Sequence, residues 1–520
     1  MISPLSQIKK QLAPALLSPQ QWVFALILAS LALRLVFAGS GGLGVDEAYT
    51  IATGRQLALS TFDHPPMAWW LSRVSALLFG ETDFFVRLPF VLLFCLTTWL
   101  MFALTRRLFG AQAGLWAAVA LNLSPVLGLT NASWIVPDAP LMPALLAGAY
   151  CLSRVFFDVD QRRAGLWWLL AGVSGGLAML SKYHGVFFFA GAGLFILTSA
   201  GQRRWLASPW PYAAALLALA IFSPVLVWNA QHEWVSVMFQ GGRSGAPKLN
   251  LLAPVVTVLL QSIWLAPWIF FPLVLIFFRA LRQGPSQPKQ WLLTCLAMGP
   301  IVLFTVVAFW SSKRVLPHWV GPGYLLLLPI LGNEIALRLE AGAPRLRRAL
   351  IGAAGLSLGL VALFVALPRL PLAALAGTHY PLVEMLDWDE IPQAVLARGW
   401  RQPKVFVAGM RWLDCGKLDY ALKGALPVLC LTDDPRGFGV LRQPAEFVGQ
   451  DTLIMAPDLT LAQARAIYGG VFDGIEPLEP IEIMQGGQPA IILNVFRAKR
   501  FHDPAPEFSL HRRTEGASGG

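Results

Sequence analysis

Charged residues are scarce in this chain. They make up 13% of its 520 residues, where a soluble protein carries about 25%. That shortage excludes a surface solvated along its whole length. Cysteine is also rare: there are five, and none stands in a metal-ligand spacing. Cys95, Cys151 and Cys295 lie in apolar runs and read as small packing residues. Cys415 and Cys430 lie in a polar C-terminal part, where they pair only if that part faces an oxidising compartment. No internal repeat is apparent. Apolar side chains are what the chain has in excess, at 56%, together with 20 tryptophans, a residue that gathers at bilayer interfaces. The composition is that of a polytopic α-helical membrane protein. The net charge of +11 is then no sign of nucleic-acid binding, because most basic residues fall in short loops that orient the protein.

Runs long enough to cross about 30 Å of hydrocarbon cover 22–38, 85–105, 112–129, 139–157, 166–181, 184–200, 206–228, 252–278, 291–310, 320–337 and 350–367. This predicts about eleven transmembrane helices. With Lys9-Lys10 in the cytoplasm, ahead of a retained signal anchor, alternate loops carry Arg106-Arg107, Arg162-Arg163, Arg203-Arg204, then Arg279, Arg282 and Lys289, then Arg345, Arg347 and Arg348. Each predicted inside loop thus has its basic cluster. The opposite loops hold the unusual polar groups: Asp46-Glu47, Asp63-His64, Trp134 to Asp138, Lys182-Tyr183-His184, Gln231 to Lys248, and Ser311 to His318. Pro65-Pro66 and the run from Met67 to Phe79 predict a short interfacial helix, capped by Asp63, with Trp69, Trp70, Leu77 and Leu78 in the headgroup region.

After Leu367 charges and turn residues return. Short strands are expected at Val405 to Ala408, Pro427 to Leu431, Thr452 to Ala456 and Ala490 to Phe496, with helices at Leu413 to Lys423 and Leu461 to Tyr468. The division expected is a transmembrane catalytic domain over 1–370, with extracytoplasmic loops at 39–84 and 229–251. An extracytoplasmic α/β domain follows over 371–500, and a disordered tail over 501–520.

Each polar group has a functional and a plain reading. Asp46-Glu47 either supply a general base and an orienting carboxylate or end a helix in water; glycines at 39, 41, 42 and 44 let the backbone turn back there. Asp63 caps a helix or binds substrate, and His64 is an interfacial group or a ligand. Asp138 favours a helix dipole or adds a second acid to the same cavity. Lys182 snorkels to the headgroups or holds a phosphate, as do Arg243, beside Gly241-Gly242, and Lys313. Tyr183 and His318 complete a set of substrate-binding candidates on this face. Acids for a hydroxyl acceptor and cations for a phosphate leaving group suit sugar transfer from a lipid phosphate. A transporter or flippase of lipid-linked sugars is the alternative, although polar groups would then be expected at the midplane. A non-catalytic scaffold is a third reading.

Six pieces in order carry a family resemblance: Asp46-Glu47-Ala48-Tyr49, Phe62-Asp63-His64-Pro65-Pro66-Met67, Val86-Arg87-Leu88-Pro89, Pro137-Asp138-Ala139-Pro140-Leu141, Ser181-Lys182-Tyr183 and Leu316-Pro317-His318-Trp319. The chain resembles bacterial GT-C glycosyltransferases of the protein O-mannosyltransferase-like (PMT) and lipid A aminoarabinose transferase branch. The resemblance implies an inverting, nucleotide-independent transferase in the bacterial inner membrane. Its donor would be a sugar on polyprenyl (undecaprenyl) phosphate, presented on the extracytoplasmic face. The acceptor would be lipid A, another glycan or a protein. It further implies Asp46 as the base, Glu47 and Asp138 as positioning groups, and His64, Lys182, Arg243 and Lys313 around the phosphate. The branch usually has a lysine where His64 stands, and a metal-associated glutamate where Asp63 stands. No cofactor or metal is required on this reading, a divalent cation being the alternative.

Overall fold

A computed structural model describes residues 17–242, 249–311, 315–370 and 384–502. Arg243, Lys313 and the tail beyond 502 lie outside the described residues. The first helix, α1 (Pro19–Ala38), starts at a Ser18–Gln21 capping box. After a glycine loop come a short helix α2 (Val45–Gly54) and α3 (Met67–Phe79). A long α4 (Asp83–Phe109), α5 (Ala111–Asn122), α6 (Asp138–Phe157), α7 (Ala164–Ser181), α8 (Val186–Thr198) and α9 (Trp210–Gln231) follow. Then come α10 (Val235–Gly242), α11 (Ala253–Leu265), α12 (Pro267–Gln283), α13 (Pro288–Val307), α14 (Gly321–Glu340) and α15 (Pro344–Ala366).

Among the described residues eight helices are long and apolar enough to cross a membrane, or up to ten if two bent pairs each count as one span. These ten correspond to ten of the eleven expected runs; the run at 252–278 is not one continuous helix. That run breaks into α11 and α12 at Ala266, whose φ is +72°. Pro267 follows, and proline disfavours the α conformation in the residue before it. The run at 112–129 turns by 87° where α5 passes into a wide turn at Val126–Thr130, and the run at 184–200 turns by 116° after α8. At the first bend Gly128 passes so close that a Cβ would lie 2.6 Å from the Leu121 carbonyl oxygen.

The bundle core gathers Phe94, Leu152, Phe195, Leu296 and Leu328. Helix α14 runs through its centre, whereas α15 lies on its rim. One end of the bundle is basic: Arg107 pairs with Asp158, Lys289 Nζ donates to the Leu108 carbonyl at 2.9 Å, and Arg279 meets Glu334 at 2.7 Å. The loops holding Asp46, Asp63, Asp138 and Lys182 lie at the other ends of those helices.

Helix α3 departs from expectation. Its N-cap is Pro66, with no side-chain cap, so Asp63 does not cap it. Trp69 is buried and donates to Thr53 Oγ1 at 2.9 Å, because α3 packs under α2. Leu77 and Leu78 are exposed as expected.

The C-terminal part adds α16 (Glu390–Ala397), α17 (Trp412–Leu422) and α18 (Leu461–Tyr468) to a five-stranded sheet of order β2-β1-β3-β5-β4. Strands β1 (Val405–Gly409), β2 (Val428–Cys430) and β3 (Asp451–Pro457) are parallel. Strands β5 (Gln488–Phe501) and β4 (Phe472–Gln485) are antiparallel additions. Strand β4 escapes sequence reading because Pro477 and Pro480 interrupt it; both are tolerated on an edge strand. Val407, Leu453 and Met455 face the membrane loops and share one core with Leu43, Tyr49 and Trp69. Phe406, Ala408, Ile454 and Ala456 face the other way, under α18.

Cys415 and Cys430 form a disulfide across α17 and β2, with Cα atoms 5.9 Å apart and a sequence separation of 15. Closing a loop of that length stabilises by about 3 kcal/mol. Replacing both cysteines by serine is therefore expected to lower the thermal unfolding midpoint of the purified protein. An unchanged midpoint would show that the bridge contributes nothing.

Candidate active site

Asp46 and Glu47 are neighbours in sequence and opposites in structure. Both lie in the first turn of α2, where negative charge suits the helix dipole. Asp46 is exposed, whereas Glu47 is buried. Glu47 accepts from Arg87 Nε at 2.9 Å and Nη2 at 2.5 Å, from the Gly44 amide at 2.9 Å and from the Ile135 amide at 3.0 Å. Arg87, itself buried, also donates to the carbonyls of Ala38, Gly41 and Gly42. The carboxylate thereby ties the glycine loop, α4 and the turn before α6 into one body, with Asp46 held at its edge. Glu47 has no lone pair left to spare for a substrate.

The turn that Glu47 fixes leads into Asp138. The Asp138 carboxylate meets Lys182 Nζ at 2.7 Å, both side chains being buried. Sequence reasoning assigned these two residues to different tasks, an acid and a phosphate ligand. Packing of α6 on α7 makes them one ion pair. Beside Lys182, Tyr183 packs on Phe222, and His184 stacks on Phe304 with centroids 4.8 Å apart. Phe304 in turn meets Trp319 at 5.3 Å, which brings the His318 segment alongside.

A third cluster centres on Asp63. Its carboxylate receives the Tyr49 hydroxyl at 3.4 Å and faces Arg436 Nη1 at 3.8 Å. The Tyr49 hydroxyl accepts from the Gly437 amide at 3.0 Å. Burial, then the Asp63 charge, push the Tyr49 phenol well above its usual range. Gln240 donates to the Asp63 carbonyl, and Ser236 Oγ donates to the Thr61 carbonyl at 2.9 Å, so α10 docks on this loop. His64 is half-buried, its ring 6.2 Å from that of Trp69. The Asn250 amide donates to the Phe309 carbonyl at 2.8 Å. The chain downstream of Arg243 therefore meets the chain upstream of Lys313.

The C-terminal domain closes over this face. Lys417 Nζ donates to the carbonyls of Leu43 and Leu386, at 2.5 and 2.6 Å. Burial lowers its pKa to about 8, opposed by Asp387 and Asp83. A Cβ at Gly42 would collide with the Asp387 carboxylate, which explains one glycine of the loop. Arg55 bridges Glu81 and Asp419. Arg436 lies 3.7 Å over the Trp412 ring. None of these domain residues stood in a recognisable motif, so sequence reading missed them. A desolvated guanidinium–indole contact is worth about 2 kcal/mol. Arg436→Ala is therefore expected to raise limited proteolysis within 384–502 roughly 30-fold, and an unchanged rate would remove Arg436 as a clasp.

Asp63 is accompanied by a guanidinium, and no group of three or more His, Cys, Asp or Glu that could hold an ion occurs among the described residues.

Comparisons with known proteins agree with this architecture. Residues 63–228 match the dolichyl-phosphate-mannose-protein mannosyltransferase family. The lipid A galacturonosyltransferase RgtD of Rhizobium johnstonii is 25% identical over 288 residues, 54% of this chain and 58% of that protein. An undecaprenyl phosphate-α-4-amino-4-deoxy-L-arabinose arabinosyl transferase of Sodalis glossinidius is 29% identical over 303 residues, 55% and 52% of the two chains. The chain thus spans about half the length of the curated relatives it matches. The crystal structure of ArnT from Cupriavidus metallidurans, in the apo state, superposes with a TM-score of 0.63 over 92% of this chain and 98% of that one, at 15% identity. The same protein bound to undecaprenyl phosphate gives 0.62. The chain therefore shares the fold of ArnT and, over 63–228, is similar to the mannosyltransferase family.

Proposed function

We propose that this protein is an inverting glycosyltransferase of the bacterial inner membrane. It moves a sugar from a polyprenyl phosphate to a hydroxyl of a lipid A-type glycolipid. The observation that carries this reading is the convergence of Asp46, Asp63 and the Asp138–Lys182 pair, from separate loops, at one end of the helix bundle under one domain. The relatives act on lipid A or use undecaprenyl phosphate-linked sugar, by their names.

The basic end of the bundle faces the cytoplasm on this proposal, following the positive-inside rule. The C-terminal domain then lies in the periplasm, where the Cys415–Cys430 bridge suits the oxidising compartment.

In the proposed reaction Asp46 removes the proton of the acceptor hydroxyl. The oxygen attacks the anomeric carbon, the bond to the phosphate oxygen breaks, and polyprenyl phosphate leaves with the electron pair. Asp46 suits the base because it is the exposed acid of the pair. Glu47 holds its backbone in place through Arg87 and Ile135. Lys182, paired with Asp138, supplies positive potential beneath the leaving phosphate, with His64, Arg243 and Lys313 as further donors. Tyr183 and His318 line the same face. No step passes through a metal ion, and no cofactor is needed.

The test uses purified protein, polyprenyl phosphates labelled in the sugar, and a membrane lipid extract. Label in a new glycolipid confirms transfer and names the donor. Folded protein that yields no product from any donor, but moves labelled donor between leaflets, would replace the proposal with a flippase.

A further inference from the structure

The C-terminal sheet contains a feature that the transfer chemistry does not use. Strand β1 is followed by α17, which packs on the face shared with the membrane loops. Strand β3, its hydrogen-bonded neighbour, is followed by α18, which packs on the opposite face. The two connections therefore leave the sheet in opposite directions. In parallel α/β sheets such a divergence opens a crevice outside the carboxyl ends of the strands, where ligands bind. Here it opens a cavity of about 300 Å³, with Met410, Arg411 and Asp414 on one wall and Asp458, Leu459 and Ile467 on the other.

The charges in the crevice define what it can hold. Arg411 forms a two-point pair with Asp414, at 2.7 and 2.8 Å, which takes up its guanidinium. Asp458 and Glu384 are further acids that act on Arg411. Among these described residues acids outnumber the one cation. The turn after β1 reads Gly409-Met410-Arg411-Trp412-Leu413-Asp414, without the glycine spacing that brings backbone amides onto a phosphate, and Asp414 sits in the first turn of α17. A nucleotide or lipid phosphate is disfavoured there. Carboxylates that accept hydrogen bonds, beside the apolar Leu459 and Ile467, suit a ring with hydroxyl or amino groups on an apolar face.

Burial, then the Asp46 carboxylate, push the Glu384 carboxyl up, with Arg411 and Asp414 acting on it as well. Glu384 is thus within electrostatic reach of both the crevice and Asp46.

We propose that the crevice at the carboxyl ends of β1 and β3 binds a neutral or amine-bearing saccharide unit of the acceptor. This rests on the transferase reading for its purpose, and on the crevice alone for the binding. Two variants probe it. Asp458 has a φ of +58°, a conformation that asparagine accepts, so Asp458→Asn removes the charge without straining the turn. Ile467 is 44% exposed, so Ile467→Trp fills the crevice from its rim.

The first measurement is saturation-transfer NMR on the full-length protein with glucosamine and N-acetylglucosamine. Signal from both sugars with wild type, lost with Ile467→Trp and weaker for glucose 1-phosphate, is expected. Equal signal from wild type and Ile467→Trp, or a preference for the phosphate, would overturn the proposal. This arm decides even if no transfer is found. The second measurement is transfer kinetics. Both variants are expected to raise the acceptor KM at least about tenfold, with donor KM and the unfolding midpoint unchanged. Wild-type acceptor KM in both variants would also overturn it.

Discussion

Asp46→Asn is expected to abolish sugar transfer while leaving the protein folded in the membrane. The change is isosteric and the side chain is exposed. Its effect on stability should stay within about 0.5 kcal/mol, as for surface substitutions away from packed features. Activity should fall by about 10²–10⁴-fold, the usual contribution of a positioned general base. Loss should appear in kcat, with the KM for donor little changed, because Asp46 meets the acceptor proton and makes no contact with the phosphate. The neighbouring Glu47 provides the control. Glu47→Gln disturbs a carboxylate that accepts from Arg87 and two backbone amides, so it should lower folded yield along with activity. Two adjacent acids then give two different phenotypes, one chemical and one structural. If Asp46→Asn transfers sugar at the wild-type rate, Asp46 is not the base.

Arg87→Ala is expected to be the most damaging single change for folding. It strips Glu47 of its ion-pair partner at a site that is 2% exposed, and leaves the carbonyls of Ala38, Gly41 and Gly42 without this donor. Removing one member of a buried pair costs about 3–5 kcal/mol, because the remaining charge is left uncompensated. That is a large share of a typical stability of about 5–15 kcal/mol. The expected readout is loss of a monodisperse peak when detergent-solubilised protein is sized by gel filtration. The double change Glu47→Met with Arg87→Met should recover much of that peak, since replacing both charges with apolar groups is far less costly than removing one. A single Arg87→Ala protein with wild-type behaviour would show that the brace is dispensable.

The sequence made the membrane part legible because its signal is long and repetitive. Ten of the apolar runs form helices or bent helix pairs long and apolar enough to span, and the run at 252–278 divides at a local break no hydropathy window can see. The acids were visible for a related reason: charge is conspicuous in an apolar chain. Their partners were not. Lys182 reads as a snorkelling or phosphate-holding cation, and only the packing of α6 on α7 reveals that its ammonium also meets Asp138. Arg87 appeared only as part of a motif, although a lone arginine in an apolar run is itself a sign of a buried partner. Arg436 and Glu384 were illegible, because their importance comes from where a separate domain docks. Of the two readings of Asp63, local spacing suggests the cap, whereas tertiary packing gives it Tyr49 and Arg436. Trp69 was assigned to the headgroups on composition, and α2 buries it.

The central claim is a single displacement at the anomeric carbon with Asp46 as base. The most direct measurement is the anomeric configuration of the product, read by NMR coupling constants from transfer with a donor of known configuration. A one-step attack inverts that centre, so the account predicts a product opposite in configuration to the donor. Retained configuration would require two displacements through a covalent sugar–enzyme intermediate, and would contradict the role given to Asp46.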